Sequence, residues 1–177
     1  MDITQLILDD HHEQRRLFAI LEQVDRADTA TLSAVWERLA TFLELHAAAE
    51  EEIFYPELLR AGITARRAGA VEGETVDAIR DHNDIRDAVA GANLANSDHM
   101  AEEEREGLTD FRRLAGLQLR HDLAVAFAAF EARNFAGVPV VDKDPGAYVR
   151  ETERDIQPPG DQPAADGSLN IGSLKGR

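Results

Sequence analysis

From Asp2 to about Phe135 the apolar residues return at helical spacing, three to four positions apart, with alanine, glutamate and arginine between them. Proline enters this stretch only at Pro56. Asp2 and Gln5 form a capping pair that opens a first helix running to about Asp25. A second helix starts near Thr31 and runs towards Pro56 or Leu59, with Leu32, Val35, Trp36, Leu39, Leu43 and Ile53 in one stripe. Residues 62–73 are expected as a loop, followed by helices over about 74–89 and 94–106. A fifth helical run, 109–135, is apolar on more than one face. The pattern predicts an all-α domain over residues 1–137. Residues 138–165 are expected to be an extended segment and flexible linker, because the stretch from 151 onward is too poor in hydrophobic residues to offset its ordering entropy. Residues 166–177 form a separate tail.

An internal repeat carries the candidate chemistry. DDHHEQR contains Asp10-His11 and then Arg15, and RDHNDIR contains Asp81-His82 and then Arg86. Each is followed by a second signature, HAAAEEE from His46 and HMAEEER from His99, so that the chain reads DH-xxx-R and then H-xxx-EE, twice. Residues four apart on a helix share a face, so the His46–Glu50 and His99–Glu103 pairs each converge on one point. Four imidazoles and two carboxylates brought together inside a helical bundle suit two transition-metal ions, iron above all.

Periodicity selects among the candidates. His46 and Glu50 lie in the stripe of Leu39, Leu43 and Ile53, where a carboxylate is costly unless paired or bound to metal. His11 projects with Ile7 and Phe18, whereas His12 is turned by about 100° towards the polar side. His82 shares a face with Ile79, Ile85 and Val89. A lone helical histidine is more often a hydrogen-bonded core residue, and a run of glutamates is usually a solvated face. That four of the six histidines fall at matching positions of a repeat favours the metal reading. His121 has Val125 where a carboxylate is needed and reads as structural; Tyr55 reads as core packing, with an outer-sphere or weak-ligand role as the alternative.

Composition narrows the setting. A net charge of −15 disfavours nucleic acid and anionic membranes as partners. The absence of cysteine removes disulfides, thiolate catalysis and cysteine-ligated zinc. MDITQLILDDHH lacks the build of a signal peptide, and no apolar run approaches a membrane span. A cytoplasmic protein is expected.

DHHEQRRLF, LHAAAEEEIFYPEL, RDHNDIRDAV and HMAEEER together resemble the hemerythrin-like, or HHE cation-binding, family over residues 4 to about 106. The resemblance implies an antiparallel four-helix bundle holding two carboxylate-bridged non-haem iron ions. Its ligands carry over to His11, His46, Glu50, His82, His99 and Glu103. It implies binding or consumption of dioxygen, peroxide or nitric oxide, and leaves binding and turnover as alternatives. Arg86 stands one turn after His82, where oxygen-carrying members place a further histidine. The halves are unequal: His11 and His46 are 35 residues apart, His82 and His99 only 17. The second pair of helices must therefore turn within roughly 12 Å of the site, near Gly91. The fifth run, LAVAFAAFEARNF, offers either a homodimer face or a cover for the open side.

The tail, DGSLNIGSLKGR, sets Leu169, Ile171 and Leu174 among glycines and serines, and suits docking in extended form into an apolar groove. It resembles the C-terminal targeting peptide of encapsulin cargo proteins, with Leu169, Ile171, Gly172 and Leu174 as the contact core. That resemblance implies the encapsulin shell protein as partner and the interior of a nanocompartment as location. An iron-storing ferroxidase is a rival, but the E-x-x-H pairs of such sites are absent from the chain. The other rivals are a single zinc or manganese site and a metal-free acidic module for a basic partner.

Overall fold

In the computed structural model, which describes residues 1–90, 100 and 103–156, every regular element is helical. Helix α1, Ile3–Gln23, begins where the Asp2 carboxylate accepts the Thr4 backbone N–H at 3.0 Å. Gln5 does not complete a reciprocal cap, since its amide donates to Asp9 at 3.0 Å. Asp28 accepts the Thr31 N–H at 3.1 Å and starts α2, Thr29–Ala49. Asp10 meets His46 while Glu13 meets Arg38, so α1 and α2 run antiparallel.

The second helix stops at neither Pro56 nor Leu59. A π-helical turn, Glu50–Phe54, carries it into α3, Tyr55–Thr64. The cause is local: Pro56 has no N–H to donate, and its ring crowds the carbonyl four residues back. A widened turn just before it accommodates both, with the Tyr55 N–H bonded to the Glu50 carbonyl.

The expected loop at 62–73 shrinks to residues 65–67. Arg66 takes a left-handed conformation (φ 59°), and the N–H groups of Arg66 and Arg67 return to the carbonyls of Ile63 and Gly62 at 3.1 and 2.8 Å. This helix-ending pattern usually recruits glycine, which is why no loop signal marks it. Helix α4, Ala68–Ala90, therefore starts earlier than the periodicity indicates. Gly62 permits the tight turn, since a Cβ there would lie 2.8 Å from Val71 Cγ2. Glu51 meets Arg86 while Tyr55 meets His82, so α4 is antiparallel to the run before it.

The single fifth helix expected over 109–135 is two: α5, Gly107–Leu114, and α6, Leu117–Arg133, separated by extended backbone at Ala115 and Gly116. Helix α6 buries Ala124, Phe127 and Phe130 against α1, α2 and the π turn, and so covers that side of the bundle. The reading of 138–165 as extended segment and linker is corrected over its middle. Residues 145–156 form α7, Pro145–Ile156, packed on α3 and α4 with Val149 buried. Asp144 caps it through the Ala147 N–H at 2.5 Å, and proline suits the first turn of a helix. Tyr148, Val149 and Ile156 supply an apolar stripe that the charged run between them, Arg150 to Asp155, concealed. The turn near Gly91, His99, and the tail residues Leu169, Ile171, Gly172 and Leu174 lie outside the described residues.

Two apolar clusters bracket a polar layer. Leu17, Leu39, Leu43 and Ile85 form one. Ile3, Ile7, Phe54, Leu58, Ile79, Phe111 and Phe127 belong to the other. Each such side chain contributes roughly 1.5–3 kcal/mol on burial, and together they fix the helices on which His11, His46, Glu50 and His82 sit. Among the described residues, no helix is long and apolar enough to cross a membrane.

Candidate metal centre

Between the two clusters, His11, His46, Glu50, His82 and Glu103 are buried, none more than 6 % exposed. Their Nε2 atoms and carboxylates face one another. His46 Nε2 lies 2.9 Å and His11 Nε2 3.9 Å from Glu50 Oε1, His11 Nε2 lies 3.3 Å from Glu103 Oε2, and His82 Nε2 lies 3.2 Å from Glu50 Oε2. Glu50 thus spans from the His11–His46 side to the His82 side. Four of the inward atoms, His11 Nε2, His46 Nε2, Glu50 Oε1 and Glu103 Oε2, are buried without a well-aligned hydrogen bond, although His46 Nε2 and Glu50 Oε1 lie at ion-pairing distance. An unsatisfied buried polar group costs about 1–3 kcal/mol, and four around one point form a cluster that a cation would satisfy. His11, His46 and Glu50 alone offer three ligand atoms within 4.8 Å of one another. The donor set, imidazole nitrogen and carboxylate oxygen, fits a divalent transition metal.

The outer nitrogens explain the rest of the repeat. His11 Nδ1 pairs with Glu104 at 3.0 Å, and Arg15 reaches the same oxygen at 2.8 Å. His82 Nδ1 pairs with Glu51 at 2.9 Å, and Arg86 reaches that oxygen at 2.7 Å. In each half, the first glutamate of the EE pair faces inward and the second grips the histidine and arginine of the other half. Asp10, the residue before His11, holds His46 Nδ1 at 3.1 Å. A carboxylate on the outer nitrogen sets the tautomer that presents Nε2 to a metal. Asp10, His46 and Glu131 also lie close enough to share an ion, but Asp10 holds the outer nitrogen of His46 and so belongs to this supporting layer.

The π turn brings in a residue that helical periodicity turns away. Five residues after Glu50, Tyr55 would point off the site on a regular helix. In the wider turn its hydroxyl donates to Glu103 Oε1 at 2.9 Å and lies 3.5 Å from both Glu50 Oε2 and His82 Nε2. Burial, then the Glu103 and Glu50 charges, push this hydroxyl well above its usual pKa, so it stays a donor. The reading of Tyr55 as core packing is therefore incomplete. The signal for its role was Pro56, which forces the turn.

Burial alone would lower the histidine pKa values, but facing carboxylates reverse the sign. Glu50 and Asp10 hold His46 well above its ordinary value, and Glu50 and Glu51 raise His82 to about 9. Burial favours the neutral form of Glu51, yet His82, Lys143 and Arg86 bring it down to about 2. For protein stripped of metal, the raised histidines contribute stability that is full below the unfolded pKa of about 6.5 and is lost as pH rises through the folded one. Chelated protein is accordingly expected to lose thermal stability as pH rises from roughly 6.5 towards 9. Metal displaces those protons, so metal-loaded protein should lose less over the same interval. Melting curves with and without chelator check this, and equal slopes would contradict it.

The structure brings His11, His46, Glu50, His82 and Glu103 together; His99 lies outside the described residues. It adds Asp10, Glu51 and Glu104, which lay within the repeat without an assigned role, and it bonds Tyr55, for which the sequence offered an outer-sphere or weak-ligand role as the alternative, to Glu103. The family model described as the hemerythrin HHE cation binding domain matches residues 2–125. No curated protein and no solved structure matches the chain.

Proposed function

The chain belongs to the hemerythrin HHE cation-binding family, and we propose that it holds two non-haem iron ions and binds or consumes dioxygen, peroxide or nitric oxide. The observation that carries the reading is the convergence of buried His11 Nε2, His46 Nε2, Glu50 Oε1 and Glu103 Oε2, none in a well-aligned hydrogen bond, at one point inside the helical core. With His82 and His99 these residues would hold the ions. Iron held there would supply redox chemistry and a binding point for a small molecule. The chain's own residues do the rest. The apolar clusters exclude bulk water, Glu104, Asp10 and Glu51 orient the imidazoles, and the Tyr55 hydroxyl donates towards Glu103 beside the centre. Arg86 occupies the place of a further histidine, and its bond to Glu51 makes it an outer partner.

The tail sequence DGSLNIGSLKGR supports a second part of the proposal, that the protein is cargo of an encapsulin shell, where it limits oxidative or nitrosative damage. Co-expression with a shell protein tests this part. Chain lacking residues 166–177 should fail to co-purify with the shell, and undiminished loading would refute the address.

Metal content per chain, with the visible spectrum recorded alongside, tests the centre. About two irons per chain, with charge-transfer bands that change on adding peroxide or nitric oxide, is the expected result. No iron after anaerobic ferrous loading would overturn it, and a single zinc or manganese would favour the mononuclear alternative.

A further inference from the structure

The two halves of the repeat differ in how their outer carboxylates are held. Glu104 leaves a quarter of its side chain exposed, whereas the Glu51 side chain is 1 % exposed. The difference comes from the C-terminal arm, beyond the matched domain. Lys143 reaches the second oxygen of Glu51 at 2.6 Å, and the Tyr148 hydroxyl donates to the Glu51 backbone carbonyl. Lys143 is itself pinned beside the centre. Asn83, the residue after His82, donates to the Lys143 carbonyl at 2.7 Å and accepts its N–H at 3.1 Å. The ammonium also lies 5.3 Å from the Tyr148 ring centroid.

We infer that Lys143 is a positioning residue of the centre: by holding Glu51 it fixes the His82 ring, so the domain needs residues 138–156 to present its ligands. Arg86 and His82 both bind Glu51 Oε1, which leaves Oε2 to Lys143. Without the lysine, a buried carboxylate oxygen loses its partner and the group is free to turn away from His82 Nδ1. Losing an outer partner of a metal-ligating histidine typically weakens metal binding about 10–100-fold. Among the described residues, the arm gives the His82 half a support that the His11 half does not share.

The consequence for metal rests on the proposed centre, so the test carries one readout that needs no metal. In metal-free full-length protein, Lys143→Met should shift or broaden the nitrogen-15 signals of the His82 ring and leave those of His121 unchanged. In cobalt(II) titrations against a competing chelator, the same variant should bind about 10–100-fold more weakly, and Lys143→Arg should recover most of the loss. A purely structural role predicts a lower melting temperature with unchanged His82 signals and cobalt affinity; that result overturns the inference. Absence of cobalt binding by the unaltered protein would instead remove the proposed centre, and the His82 signals would then decide the clamp by themselves.

Discussion

Replacing Glu50 by alanine is expected to abolish metal retention, with content after gel filtration falling to below about a tenth of the unaltered protein. Among the described residues, no other side chain reaches so much of the centre: Glu50 lies within 3.9 Å of the Nε2 atoms of His11, His46 and His82, and is fully buried. Its two oxygens face different histidines, so its loss removes the group common to both sides. Glu52→Ala provides the control. Glu52 belongs to the same glutamate run and is exposed, so a run that served only as a solvated acidic face would respond equally to either change. Metal analysis of the two variants side by side separates a ligand from a charge run. Equal retention in both would end the reading of Glu50 as ligand.

Stripping the metal should lower the melting temperature by roughly 8–16 °C. Metal at about a thousand times its dissociation constant stabilises the folded chain by about 4 kcal/mol, and a domain of this size shifts about 2–4 °C per kcal/mol. The structural reason is the cluster of buried polar atoms. Without a cation, His11 Nε2, His46 Nε2, Glu50 Oε1 and Glu103 Oε2 remain buried in a helical core with only histidine–carboxylate pairing to offset their desolvation. Calorimetry before and after chelation, repeated on Glu50→Ala, checks the cause. The variant should melt at the same temperature in both conditions, because it has no ion to lose. A chelator effect of equal size in the variant would assign the stabilisation to some other site.

These expectations draw unequally on sequence and structure. The helical content and all six proposed ligand positions could be read from the sequence because both signals are local; five of the six fall among the described residues and His99 lies outside them. The stripe of Leu39, Leu43, His46 and Glu50 is a property of one helix, and the DH-xxx-R and H-xxx-EE signatures are short. The end of the second helix was legible only as Pro56 or Leu59, because a proline argues for a stop until the π turn before it shows how the helix absorbs it and runs on to Thr64. That same turn decides the place of Tyr55, which regular helical spacing puts on the wrong face.

What the sequence by itself determined is which residue types recur at which spacing, and hence that imidazoles and carboxylates share helix faces. Which of them meet was decided by the tertiary structure. Asp10 supports His46 rather than its neighbour His11, and Glu51 and Glu104 each grip a histidine of the opposite half. Lys143 joins from a segment with no helical or ligand signature. The physical reason is that spacing along one helix sets only the direction of a side chain. Its partner depends on the depth and angle at which another helix packs, and those depend on features as remote as Gly62 against Val71 and the turn before Pro56.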